Sequence, residues 1–359
     1  MNELVKLISD LVGFRTTSDN PEEVKKCADY ILSYLRGRGI IIKKYIKNDK
    51  ISIVALFLET KKPKIFLNAH FDVVPASSHS FAPKILGDRL YGRGSDDCKA
   101  QVAALMLLMK DFAKQKRKPD IGIMLTSDEE VHGRDGVDYL LSEEGYGCEF
   151  ALVADGGKNF DIVTKHKGVL QVRVSAIGKS AHSAYAWEGG QNAIDKLITA
   201  YAEIRKMFPS LKKPAWKISA NLTKISGGDV LNKIPDYAEL YLDIRRTEKD
   251  SEAAILKRLG GVEGVQVEKI AAAEMLETDE SNPYVKKLRA SAEKILKRKI
   301  KTNREHGATD ARYFSARGMP AVLFKPLGAD AHSESEHVVI SSLQPYYEIL
   351  IDFVKEAAK

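Results

Sequence analysis

The sequence predicts an α/β protein, a mainly parallel sheet flanked by helices, interrupted by an inserted α+β domain. Three observations predict it. Up to residue 166, short β-rich apolar runs alternate with helical patterns, which calls for parallel strands covered on both faces. Between residues 167 and 271 the texture becomes strand, helix, strand, strand, with the alternation of half-exposed strands. From residue 272 the first texture returns, so 1–166 and 272–359 read as one discontinuous domain and 167–271 as the insertion.

In chain order, NELVKLISDLVGF and PEEVKKCADYILSYLRGRGI place apolar residues at helical spacing, the second closing on Gly37 and Gly39. ISIVALFLE and KIFLNAHFD read as strands, a helix follows Gly94, and IGIMLTSDEE reads as another strand. GVDYLLSEEG is a short helix and FALVADGG a strand. In the insertion GVLQVRVSAIG alternates, GGQNAIDKLITAYAEIRKMF is helical, and WKISANLTKISGG and AELYLDIRRTE are strands. NPYVKKLRASAEKIL is a helix and PAVLFKP a strand of the returning texture, and no repeat or low-complexity linker interrupts the chain.

With 359 residues and 44% hydrophobic content, the chain can bury a large core. The formal charge of +7 raises the question of nucleic acid, but Lys and Arg are spread over polar positions of helical patterns such as VKKLRASAEKILKRKIK. No nucleic-acid partner is expected. No leading stretch reads as a signal peptide, and the helical run AQVAALMLLMKDFA is too short to cross a bilayer, so no membrane partner is expected. Cys27, Cys98 and Cys148, with no CxxC spacing, fit a reducing cytoplasm rather than a disulfide scaffold.

The ends of the strands carry the chemistry. KIFLNAHFD closes on His70 and Asp72, IGIMLTSDEE on Glu129 and Glu130, FALVADGG on Asp155, and AVLFKPLGADAH leads to His332. In open α/β sheets the ligand crevice lies outside the carboxyl ends of the strands, so four strands deliver His, Asp and Glu to one rim. A glycine loop, YGRGSDDCK, adds Asp96 and Asp97. Carboxylates gathered this closely repel unless cations hold them, and mixed nitrogen and oxygen donors suit zinc, cobalt or manganese better than calcium or magnesium.

Eight motifs, AHFDVVP, LYGRGSDDCKA, TSDEEVHG, LVADGG, GKSAHS, LNKIPDYAELYLDIR, GATDARYF and AHSESEHV, run in order from residue 69 to residue 338. Together they resemble the dinuclear-zinc aminoacylase/carboxypeptidase metallopeptidase family. That family includes acetylornithine deacetylase, succinyl-diaminopimelate desuccinylase, aminoacylase, glutamate carboxypeptidase and several dipeptidases. The resemblance implies a zinc-peptidase-like catalytic domain with an inserted dimerisation or lid domain, a homodimer formed through that insertion, and a reaction in amino-acid biosynthesis.

Carried over residue by residue, His70 and Asp155 resemble ligands of one metal, and Glu130 and His332 ligands of a second. Asp97 resembles the carboxylate shared by both, joined to Cys98 by a cis peptide bond. Asp72 resembles the carboxylate that orients His70. Glu129 resembles the general base of a metal-assisted amide hydrolysis. His182 resembles a donor to the oxyanion, one that enters the neighbouring subunit's site in dimeric members. Arg245 resembles the residue that grips the substrate's carboxylate. Asn232, Gly307 and Thr309 fall in substrate-binding motifs. The implied cofactor is a pair of divalent ions, zinc or cobalt, with manganese as a third choice.

Each role has a plainer rival. His79, His166, His306 and His337 read as hydrogen-bonded or capping histidines, and His132 as a loop residue. Asp96 competes with Asp97 for the shared position, Asp310 is as well suited to capping a helix, and Arg245 could pair with Asp243. Ala69 and Ala308 replace glycines of the family pattern, no Trp follows DVVP, and SAYAWEGGQNA lacks the usual proline. These departures bear on the substrate rather than on the metals. Three functions compete: removal of an acetyl or succinyl group from an N-acyl amino acid, a dipeptidase or carboxypeptidase on the same scaffold, and a metal-dead binding protein.

Overall fold

The computed structural model describes residues 2–37, 39–209 and 211–358, and the chain divides into two compact units. One comprises residues up to Lys165, Leu276–Glu305 and Thr309 onward; the other comprises His166–Met275 with His306–Ala308.

The larger unit is built on a central sheet whose heart is parallel. Strands Ile121–Thr126, Ile65–His70, Phe150–Val153 and Ala321–Leu323 lie side by side in that order. Every residue of these four strands is buried, because helices or loops cover both faces. The α/β expectation therefore holds, with one difference: both flanks of the sheet are antiparallel. Lys50–Leu56 pairs antiparallel with Ile121–Thr126, and Ile41–Lys47, which the sequence reading passed over, pairs antiparallel with Lys50–Leu56. Asn48 and Asn-like Asp49 make that hairpin possible, with φ of 45° and 63°. A two-residue turn with both φ positive matches the twist of paired strands.

Helix Pro21–Leu35 starts where Asn20 accepts the Glu23 N–H and Pro21 fills the first turn. It buries Val24, Cys27, Ala28, Ile31 and Leu35, the helical stripe anticipated from sequence. Helix Lys99–Ala113 is buried on nearly all sides and packs under the sheet. A second, small sheet joins Gly328–Ala329, His337–Val339, Arg89–Tyr91 and Lys84–Leu86, strands too short to stand out in the sequence. Its pairing of His337 with Tyr91 sets the loop before residue 337 against the loop after residue 91.

The smaller unit has the order strand, helix, strand, strand, helix, strand, one helix and one strand more than the sequence reading found. Its sheet runs Ser219–Gly227, Tyr237–Arg246, Gly168–Ile177, Gln266–Ala273, all neighbours antiparallel. Leu170, Val172, Val174 and Ala176 alternate inward and meet Ala193, Leu197, Ala200 and Ile204 of helix Ala193–Met207. The missed pieces, helix Glu252–Gly260 and strand Gln266–Ala273, bury little, which blurs their periodicity.

Candidate metal centre

Register places the candidate ligands. His70 is level with Thr126, Asn68 with Val153, and Val153 with Leu323, so the four parallel strands end along one edge. Beyond that edge the chain must leave the sheet, and polar backbone and side chains collect there.

Asp97 sits between two histidines. Its Oδ1 lies 2.9 Å from His70 Nε2 and its Oδ2 lies 3.3 Å from His332 Nε2. The same His332 nitrogen is 3.1 Å from Glu130 Oε1. Asp97, Glu130 and His332 therefore form one group with ligand atoms within 4.8 Å of one another, and His70, Asp97 and Cys98 form a second. Asp96 is drawn elsewhere: its Oδ2 takes the buried Lys325 ammonium at 2.8 Å. The Asp97–Cys98 peptide bond is cis. Cys98 sulfur exchanges 3.2 Å hydrogen bonds with the His70 backbone, and burial pushes its thiol up to about 12. It enters the group by packing, as a thiol.

Asp155 is buried nearby, within the field of Asp97, His70, Lys325 and Glu130. Burial first, and then Asp97, raise its carboxyl to about 7. Burial also lifts Glu129 well above the usual carboxylate range, with Asp310, Asp155 and Asp97 adding to it against His70. Asp97 goes the other way: burial works against its charge, but the His332 and His70 hydrogen bonds hold it far below normal. His332 is raised to about 10 by Asp97 and Glu130. His70 is raised as well, its burial outweighed by Cys98, Asp72 and Asp97. Two imidazoles facing Asp97, one of them also facing Glu130, sit where positive charge is favoured, and a cation can supply that charge, since metal ligation displaces protons from histidine. Imidazole nitrogens and carboxylate oxygens in this mixture fit a zinc-type divalent ion.

Asp72 does more than the expected orientation of His70. The His70 Nδ1 lies 3.1 Å from the Asp72 carbonyl and 3.4 Å from its Oδ1. The carboxylate itself accepts the backbone N–H of Glu129 at 3.3 Å and of Glu130 at 3.0 Å. It thus holds the glutamate turn from one side. From the other side Arg312 and the Tyr313 hydroxyl both donate to the His132 carbonyl, which closes that turn with φ of 93°. Gly133 follows with φ of 64°, and a Cβ there would stand 2.2 Å from Asp310 Oδ1. The sequence reading missed Arg312 and Tyr313 because nothing in GATDARYF points at a turn 180 residues away.

Asp310 departs from its plain rival role. It occupies the helix start without a side-chain cap, and its carboxylate faces Thr126 at 3.5 Å. Thr309 Oγ1 takes the Ala311 N–H instead. In the smaller unit His182 is exposed, with Nδ1 accepting the Ala184 N–H at 3.2 Å. Asn232 lies beside it, its carbonyl accepting the Ser183 N–H at 3.0 Å. Arg245 forms a two-point pair with Asp243, at 2.6 and 3.2 Å, the in-strand partner foreseen as its alternative. Gly307 has open space around the position of a Cβ. His79 meets Ser77 and Glu334, and His337 hydrogen-bonds the Ser335 carbonyl and lies against Tyr91.

The chain is 28% identical over 282 residues to a probable carboxypeptidase of Talaromyces marneffei, covering 69% of this chain and 61% of that protein. The chain thus spans less than two thirds of that relative's length. It is 27% identical over 392 residues to a succinyl-diaminopimelate desuccinylase of Rickettsia felis, covering 98% of this chain and 99% of that one. Among solved structures, an M20 family metallo-carboxypeptidase of Sulfolobus solfataricus superposes with a TM-score of 0.80 at 18% identity, covering 99% of each chain. Residues 66–356 match the model of peptidase family M20/M25/M40. The chain belongs to this peptidase family.

Proposed function

We propose that this chain hydrolyses the amide bond of an N-acyl amino acid, acetyl or succinyl, with the help of two divalent ions. The observation that carries the reading is Asp97, whose two oxygens face two different histidines. His70, Asp97 and Asp155 would hold one ion; Asp97, Glu130 and His332 would hold the other. When bound, such ions supply Lewis-acid polarisation of a carbonyl and make water acidic enough to ionise near neutral pH. Glu129, beside the ligands but outside both groups, takes the proton of the attacking water and passes it to the leaving amine. Asp72 and Arg312 hold that glutamate's turn in place.

His182 donates to the oxyanion and Arg245 grips the substrate carboxylate after leaving Asp243, with Asn232, Gly307 and Thr309 lining the substrate. The smaller unit also joins two copies into a dimer, its edge strand Ser219–Gly227 carrying exposed Ile225, with Val230 and Leu231 exposed just beyond it in sequence. Full-length likeness to a desuccinylase favours the deacylase reading. Likeness to a probable carboxypeptidase over 69% of the chain favours peptide substrates as the second reading. No described helix is long and apolar enough to cross a membrane, and a cytoplasmic enzyme is our reading.

Assay of the protein, reconstituted with Zn²⁺ or Co²⁺, against acetyl- and succinyl-amino acids and dipeptides tests both readings. Release of free amine from the acyl-amino acids is expected. Cleavage of dipeptides alone would replace the first reading by the second, and inactivity on both would overturn the two together.

A further inference from the structure

Glu336 lies four residues beyond His332, at the edge of the short strand His337–Val339, with 1% of its surface exposed. A carboxylate buried this completely must have its oxygens satisfied. Oε1 accepts the backbone N–H of Asp96 and of Asp97, both at 3.1 Å. Oε2 takes the equally buried Arg93 guanidinium at 2.5 Å, and the Gly94 N–H also bonds the carboxylate. The Glu336 carbonyl accepts the Gly92 N–H at 3.1 Å. One residue thus gathers the loop from Gly92 to Asp97.

That loop bonds within itself only through the Ser95 N–H to the Gly92 carbonyl at 3.0 Å and the Lys99 N–H to the Gly94 carbonyl at 2.7 Å, which leave the Asp96 and Asp97 N–H groups to Glu336. Gly94 has φ of 85° and packs so closely that a Cβ would meet Val73 and Lys99 within 2.9 Å. The backbone N–H groups of Asp96 and Asp97 both point toward Glu336. The other loop is equally constrained: Asp330 and His332 have φ of 62° and 66°, a region costly for residues other than glycine. Ser335 hydroxyl ties back to Asp330 at 3.0 Å, and Glu334 takes the Ser77 and Ser80 hydroxyls.

We infer that Glu336 is a positioning residue which locks the Asp97 loop to the His332 loop and so fixes the distance between the shared carboxylate and the second histidine. The inference rests on the reading of Asp97 and His332 as metal ligands. It makes a claim beyond that reading: the geometry at Asp97 is set by a side chain that touches neither metal nor substrate. Glu336→Gln puts an amide N–H₂ against either the guanidinium or two backbone N–H groups, and Glu336→Asp withdraws the oxygens by one methylene.

The test titrates chelator-stripped wild type, Glu336→Gln and Glu336→Asp with Co²⁺. Affinity is read by competition with a chromophoric chelator, ligand geometry by the visible absorption of the bound ion, and fold by thermal unfolding of each metal-free protein. Both variants are expected to bind Co²⁺ about 10- to 100-fold more weakly, the usual loss when an outer partner of a ligand is removed, with an altered visible spectrum. Variants with lowered melting temperature but wild-type affinity and spectrum would show a purely structural role and overturn the inference. So would two variants that neither fold without metal nor recover with it. A wild type that takes up no Co²⁺ overturns the ligand reading and this inference together; normal wild-type uptake with unchanged variants overturns this inference alone.

Discussion

Asp72→Asn should separate the two duties of that residue from general stability. The change keeps size and shape but turns one carboxylate oxygen into a donor. In the structure Oδ2 takes the Glu130 N–H at 3.0 Å, and Oδ1 takes the Glu129 N–H at 3.3 Å with His70 Nδ1 at 3.4 Å. The weaker contact yields first, so the amide N–H₂ takes the Oδ1 position and faces two donors. Stranding one buried N–H costs about 1–3 kcal/mol, and losing the charge on the surviving bond costs about 1 kcal/mol more. The local penalty is thus about 2–4 kcal/mol, falling on the turn that carries Glu129 and Glu130. It should appear as lower stability of the metal-free protein in urea unfolding, weaker Co²⁺ binding by about 10- to 100-fold, and a fall in kcat/KM at saturating metal. Wild-type stability, affinity and turnover in Asp72→Asn would refute the assignment of both glutamate N–H groups to this carboxylate.

Three further outcomes are expected. Glu129→Gln should lower kcat by about 10²–10⁴ with metal content intact, the usual worth of a general base, whereas Glu130→Gln should lose metal; elemental analysis with kinetics checks the pair, and equal metal loss in both would end the division of labour. The metal-free protein should lose stability as pH rises. Folded Asp310, Asp155 and Asp128 titrate at about 6, 7 and 8 and His332 at about 10, so each binds its proton more tightly folded than unfolded. That stability is complete below about pH 4, the unfolded carboxylate value, and is lost through pH 8 and beyond, while Zn²⁺ should stabilise more as pH rises. Thermal unfolding with and without Zn²⁺ from pH 5 to 8 measures it, and a metal-free protein that gains stability with pH would contradict it. Sedimentation should give a dimer that Ile225→Asp with Leu231→Asp dissociates. Mixing inactive Glu129→Ala and His182→Ala chains should restore part of the activity if His182 serves the neighbouring site; verified mixed dimers without activity would exclude that.

Much of the larger unit was legible because buried parallel strands carry uninterrupted apolar runs, and those runs stop where the sheet stops. KIFLNAHFD and IGIMLTSDEE announced both their burial and the polar residues at their ends. The antiparallel flank was not legible. Ile41–Lys47 buries no residue fully, and its run IIKKYIK mixes apolar and Lys residues without a clean alternation. The small sheet of two- and three-residue strands has no periodicity to read. Asp310 was weighed as a helix cap because its residue type suits one; the packing turned its carboxylate inward and gave the capping to Thr309.

The sequence by itself determined that His70, Asp72, Glu129, Glu130, Asp155 and His332 follow the ends of strands, because strand propensity and hydrophobic runs are local properties of the chain. Which oxygen faces which nitrogen was not local. Asp97 and Asp96 are chemically identical neighbours, and only the folded loop sends one to the two histidines and the other to Lys325. Glu336 reaches across more than 230 residues to the Asp97 loop, and Arg312 across 180 to the His132 carbonyl. Such contacts are set by sheet register and loop packing, and they obey the need to satisfy every buried polar group, a condition that exists only once the chain has closed around it.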